Sequence, residues 1–188
     1  MSRYCHITPI PVAMNVEEIL SQKINMPLLR DVAAWASGTR ENLGRLWEMA
    51  HSADRRASVN ALWVLTHLAE TDALWFSSIR DSMIDMLLHK SDPSHKRMLL
   101  QILRKQEYGA DDIRTDFLDF CMSKINSECE PYAVRCFSIY AAFRMCRHYP
   151  ELIDELDAHL DMMTFQPLSP GLKSALRQTK ARIKKLRK

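Results

Sequence analysis

From Val16 onward the apolar positions recur at three- and four-residue spacings, the period of a buried helix face. The pattern breaks at Asn25-Met26-Pro27, Ser37-Gly38, Ser52-Ala53-Asp54, Thr71-Asp72, Ser91-Asp92-Pro93, Tyr108-Gly109, Glu130-Pro131, Tyr149-Pro150 and Ser169-Pro170-Gly171. Each break supplies a capping side chain, a proline suited to a first helical turn, or a glycine suited to a helix end. The stretches between them predict helices of about 12–18 residues. Pro9 and Pro11 block helix near the start, so residues 1–15 read as irregular. The chain is expected to comprise an irregular or helical extension over 1–25 and a repeat domain over 26–188.

The helices fall into two alternating kinds. First helices are expected over 55–70, 94–106 and 132–149, with the C-terminal 173–186 in the next slot; second helices are expected over 73–90, 111–125 and 150–163. A less regular hairpin precedes them, pairing 26–37 with 39–51. Leu62, Leu100, Ile139 and Leu176 take equivalent places in the first helices, separated by 38, 39 and 37 residues. The first helices, such as YAVRCFSIYAAFRMC, are apolar around most of their circumference and need cover on several sides. The second carry narrower stripes, for example Phe76, Ile79, Met83 and Leu87, or Leu152, Leu156, Leu160 and Met163. A hairpin of this composition cannot bury its apolar surface alone, and stacking on a neighbour solves that.

The segments RRASVNALWVLTHLAE and EPYAVRCFSIYAAFRMCRHYPELIDELDAHL resemble HEAT repeats, and the period fits that class. The resemblance implies an all-α, right-handed superhelix of about four helical hairpins plus a C-terminal capping helix, with the second helices lining its concave surface. Composition agrees with an all-α chain. Only four glycines occur in 188 residues, too few for turn-rich β folds or phosphate-cradling loops.

Charge divides the two kinds of helix. Over 72–90, 111–126 and 151–163 the second helices hold 12 acidic and 4 basic residues; over 54–69, 92–106 and 130–149 the first hold 3 acidic and 9 basic. Asp81 and Asp85, Asp112 and Asp116, and Asp157 and Asp161 lie four apart, the spacing of one helix face. With Asp119 and Asp154 they form the expected acidic binding face, which would attract a protein partner of basic character. Residues 173–188 contain eight basic side chains and no acid, among them Lys180, Arg182, Lys184, Lys185 and Arg187. Leu172, Leu176, Thr179, Ile183 and Leu186 give this segment one docking face. It reads as a capping helix, or as a basic element for nucleic acid or for the acidic face of a second copy in a homo-oligomer.

Candidate chemistry is sparse. No HExxH, GxSxG, Walker or dinucleotide motif occurs, and neither catalytic residues, nor a metal, nor a cofactor is expected. Cys5, Cys121, Cys129, Cys136 and Cys146 form no CxxC pair and suit reduced thiols in the cytoplasm. His67 reads as a packing residue, and His159 lies between Asp157 and Asp161. No apolar run reaches the about 18 residues of a membrane span, and no membrane partner is expected. The function expected is a non-enzymatic protein-interaction scaffold or regulatory adaptor. The alternative rests on similarity to the HEAT-like alkylpurine DNA glycosylases, which place aromatic and acidic residues in a cationic groove. Trp63, Asp116 or Asp119 would fill those roles here. The expected concave layer, however, lacks the Lys and Arg that neutralise phosphate.

Overall fold

The computed structural model describes residues 15–188; of the irregular stretch expected over 1–15, residues 1–14, with Pro9, Pro11 and Cys5, lie outside them. Among the described residues the regular structure is helical throughout, and no helix is long and apolar enough to cross a membrane. The chain forms two compact units that divide between Leu68 and Ala69.

The first unit holds α1 (Val16–Leu20), α2 (Met26–Gly38), α3 (Arg40–Ala50) and α4 (Arg55–Leu68). Its helices begin where capping side chains meet free amides. The Asn25 side chain accepts from the Leu28 amide at 3.0 Å and Thr39 from the Asn42 amide at 3.1 Å. Ala61, Leu62, Val64 and Leu65 bury the central face of α4 against the other three helices.

The second unit holds α5 (Ala73–Ser78), α6 (Arg80–His89), α7 (Pro93–Leu103), α8 (Thr115–Ile125), α9 (Tyr132–Cys146), α10 (Pro150–Met162) and α11 (Pro170–Leu186). The expected second helix over 73–90 is broken at Ile79 into α5 and α6. Ser78 Oγ donates back to the Trp75 carbonyl at 2.6 Å, a local bond that competes with the helical ladder. At the centre lies α9, with Val134, Ile139, Ala141, Ala142, Met145 and Cys146 fully buried because α7, α8, α10 and α11 all pack on it. Burial pushes the Cys146 thiol up to about 12, so it behaves as a small apolar group. Between α7 and α8 runs a long connection in which Tyr108 is buried, donating to the Leu103 carbonyl at 3.0 Å with its ring 6.3 Å from that of Phe117. That plug separates the two helices, and α8 packs on α9 instead.

The period seen in the sequence reappears as hydrogen bonds between residues 38 to 40 apart. In the first unit Asn60 donates to the Leu20 and Gln22 carbonyls, both at 2.8 Å. In the second, His148 meets the Tyr108 carbonyl at 2.8 Å, Tyr149 donates to Ala110 at 2.9 Å, and Gln166 donates to Asn126 at 3.3 Å. Carbonyls left open in one repeat's turns are thus satisfied by side chains one repeat later. Leu62, Leu100 and Ile139 are each the eighth residue of their helix and fully buried. Leu176 is the seventh of α11 and only half-buried; the buried line there is Leu172, Ala175, Thr179 and Ile183. Leu186, expected on the docking face, is 51% exposed as the last residue of α11.

Truncation of the buried positions should separate from truncation of the half-buried one. Leu100→Ala and Ile139→Ala are each expected to cost about 2–5 kcal/mol in urea unfolding, and Leu176→Ala less than half of that. Equal losses at all three would contradict the register.

Candidate interaction site

The second-helix layer of the second unit consists of α6, α8 and α10, with α8 touching both neighbours. Their apolar stripes face inward, so their carboxylates emerge on the solvent side. Six of the eight aspartates expected to form a binding face are engaged inside the unit. Arg114 forks onto Asp116 and donates to Asp85 at 2.6 Å, and Arg80 lies 3.6 Å from Asp112. Arg187 takes Asp154 and, at 2.8 Å, Asp157; Lys180 reaches Asp157 at 2.9 Å and Asp161 at 2.7 Å. Asp81 and Asp119 are exposed, and neither carboxylate has an ion-pair partner among the described residues.

The four-residue spacing of Asp112 and Asp116 does not place them on one helix face. A 3₁₀ turn over Ala110–Asp112 ends at Ile113, and Ile113 and Arg114 are extended, with ψ of 117° and 114°. The helix expected from residue 111 therefore starts only at Thr115. The kink is what lets Arg114 reach across to α6. Its guanidinium holds the Asp116 carboxyl below the usual carboxylate range and is itself raised by Asp116 and Asp85.

The basic segment meets the acidic one within the same chain. Lys180 and Arg187 clamp α11 onto α10, while Arg182 sits over the Phe143 ring at 5.9 Å. Lys184 and Lys185 are exposed and have no ion-pair partner among the described residues.

Between α8 and α10 opens a groove of about 450 Å³. Ile113, Leu118, Met122 and Leu152 give it an apolar lining, and the exposed carboxylates of Asp111, Asp119 and Glu155 surround it. Tyr149 also lines it, pinned by its bond to the Ala110 carbonyl. None of the three carboxylates has an ion-pair partner among the described residues. Asp111 and Glu155 were not among the aspartates expected to form the face, although Glu151 and Glu155 lie four residues apart. The available signal was the repeat itself, since Asp119 and Glu155 lie 36 residues apart. Trp63 is half-buried in the first unit with its ring edge-on to His67 at 6.2 Å. Among the described residues no cluster of three His, Cys, Asp or Glu has metal-binding geometry.

A family model described as a HEAT repeat domain matches residues 16–183. The chain belongs to the HEAT repeat family. No curated protein and no solved structure matches it. HEAT repeats generally mediate protein–protein interaction, and the helical solenoid class of this chain follows from the same match.

The clamp on α11 has a pH signature. Burial alone would raise the Asp157 carboxyl, but bonds from Lys180 and Arg187 outweigh it and hold the group below the ordinary value of 3.8. The associated stability is complete above that ordinary value and is lost as pH falls through the lower folded one. Asp157→Asn is therefore expected to cost about 1–2 kcal/mol at neutral pH in urea unfolding, a deficit that fades in strong acid. A deficit independent of pH would show that the ion pairs do not hold α11.

Proposed function

We propose that the chain is a non-catalytic interaction scaffold that takes a short basic and apolar segment of a partner protein into the groove between α8 and α10. One observation carries this reading: Asp111, Asp119 and Glu155 stay unpaired around an apolar lining, whereas six of the eight expected aspartates are spent on internal pairs. An unpaired carboxylate beside an apolar surface suits a Lys or Arg whose stem lies on that surface while its head reaches the charge. A volume of about 450 Å³ accommodates a few side chains of an extended or helical segment. The net negative field of the rim would speed encounter with a basic segment more than it deepens affinity.

This choice of site changes which residues report on binding. Reversing Asp112, Asp116, Asp157 or Asp161 breaks contacts within the fold, so loss of a partner there would report folding. Asp119 and Glu155 are free of that ambiguity. Selection from a displayed library of short random peptides is expected to enrich Lys or Arg next to large apolar residues. Binding of a selected peptide should weaken roughly tenfold or more in Asp119→Lys/Glu155→Lys, with unfolding midpoints unchanged. Enrichment of acidic peptides, or binding indifferent to those substitutions, would overturn the proposal.

A further inference from the structure

The groove between α8 and α10 has a counterpart elsewhere on the same molecule. Arg182, Lys185 and Leu186 lie three and four residues apart near the C-terminal end of α11, so they share one helix face. All three are exposed, Leu186 as the last residue of the helix. Arg182 lies over the Phe143 ring at 5.9 Å, and neither its guanidinium nor the Lys185 ammonium has an ion-pair partner among the described residues. Lys184 and Lys188 add two more exposed cations around the same helix end. α11 contains no aspartate or glutamate that would offset them.

The pairing within the fold leaves this face free. Lys180 and Arg187 are spent on Asp154, Asp157 and Asp161, which share one side of α10. Leu152 and Glu155, three residues apart, line the groove from the other side of that helix. α11 is therefore held against one side of α10 while the groove opens on the other. The end of α11 cannot enter the groove of its own chain.

The other exposed apolar side chains of the second unit lack this chemistry. No lysine or arginine stands within four residues of Leu74, Met162 or Phe165. Beside Tyr132, Arg135 is buried and donates to the Ile125 carbonyl at 2.9 Å. Beside Tyr149, Arg147 is taken by Glu107 at 2.8 Å. In the first unit Met26 and Leu28 have Lys23 and Arg30 nearby, but the exposed carboxylate of Asp31 stands next to them.

We infer that the groove takes the C-terminal end of α11 from a second copy of the chain; the inference rests on the groove reading above and names its partner. Leu186 meets the apolar lining of Leu118, Met122 and Leu152, while Arg182 and Lys185 reach the unpaired carboxylates of Asp111, Asp119 and Glu155. An apolar centre with charge around it is the arrangement of a protein interface, and the charges set its orientation. Donor and acceptor are different patches, so the contact joins unlike surfaces of two copies. One helix end in a groove of about 450 Å³ is a small contact. Association is accordingly weak and reversible, with a Kd on the order of 10–100 μM.

Sedimentation velocity on the full chain tests this. The weight-average mass is expected to climb from the monomer's 21.8 kDa as concentration passes through that range, and to climb less as added salt screens the charges. Arg182→Glu/Lys185→Glu and Asp119→Lys/Glu155→Lys each alter only exposed side chains, and each should weaken association about tenfold or more with the unfolding midpoint kept. Mixed in equal amounts, the two variants should associate again, because each supplies the patch that the other has lost. A wild-type chain that stays monomeric, association that survives either reversal, or a mixture that stays monomeric would overturn the inference. A monomeric chain whose groove still binds the selected peptides leaves the groove reading standing; selected peptides that bind irrespective of Asp119 and Glu155 overturn both.

Discussion

The second unit depends on the burial of α9. A helix apolar around most of its circumference cannot rest at a surface, so it must be covered on several sides, and four helices pack on it. Val134 to Cys146 leave few positions for water, which fixes α7 and α11 on either flank and α8 and α10 beside them. The same requirement explains why stacking continues from repeat to repeat: each first helix is left uncovered by its own hairpin partner. The side-chain bonds spanning 38 to 40 residues then fix the register of that stack, because they saturate carbonyls that the turns leave open.

Once the helices are sorted this way, their charges are sorted too. The first helices turn arginine and lysine outward on one side, and the second helices turn carboxylates outward on the other. Much of the carboxylate layer is then neutralised by cations that reach it from between or beyond the second helices: Arg80 at the Ile79 break, Arg114 at the kink before α8, and Lys180 and Arg187 from α11. Of the expected aspartates, Asp81 on α6 and Asp119 beside the groove between α8 and α10 stay free. The charge asymmetry legible in the sequence is therefore real as composition but smaller as a field, and two of the free carboxylates at the groove, Asp111 and Glu155, lie outside the set that the sequence pattern singled out.

Helix boundaries were legible where a cap or proline marks them. Asn25, Asp92 and Ser169 each cap the helix that follows, and Pro93, Pro150 and Pro170 each open one. The repeat was legible because a buried position every 38 or so residues leaves an apolar residue there, as at Leu62, Leu100 and Ile139. Two short interruptions were not. Ile79 and the Ile113–Arg114 pair contain neither glycine nor proline, and their breaks come from side-chain bonds to the backbone and to carboxylates on another helix. Spacing arguments assume an unbroken helix, so the pairing of Asp112 with Asp116 failed at that point. The clamp of α11 on α10 was invisible for a different reason: ion pairs across the α10–α11 turn depend on three-dimensional register, which no local pattern encodes.

The unpaired carboxylates around the groove between α8 and α10, and not those spent on internal ion pairs, are what a basic segment meets. Amide chemical-shift mapping on the uniformly labelled protein tests this most directly, with a short lysine- and leucine-rich peptide as the probe. The peptide is expected to shift Thr115, Leu118, Asp119, Met122, Leu152 and Glu155. A peptide that acts along α11 and leaves the groove silent would contradict it.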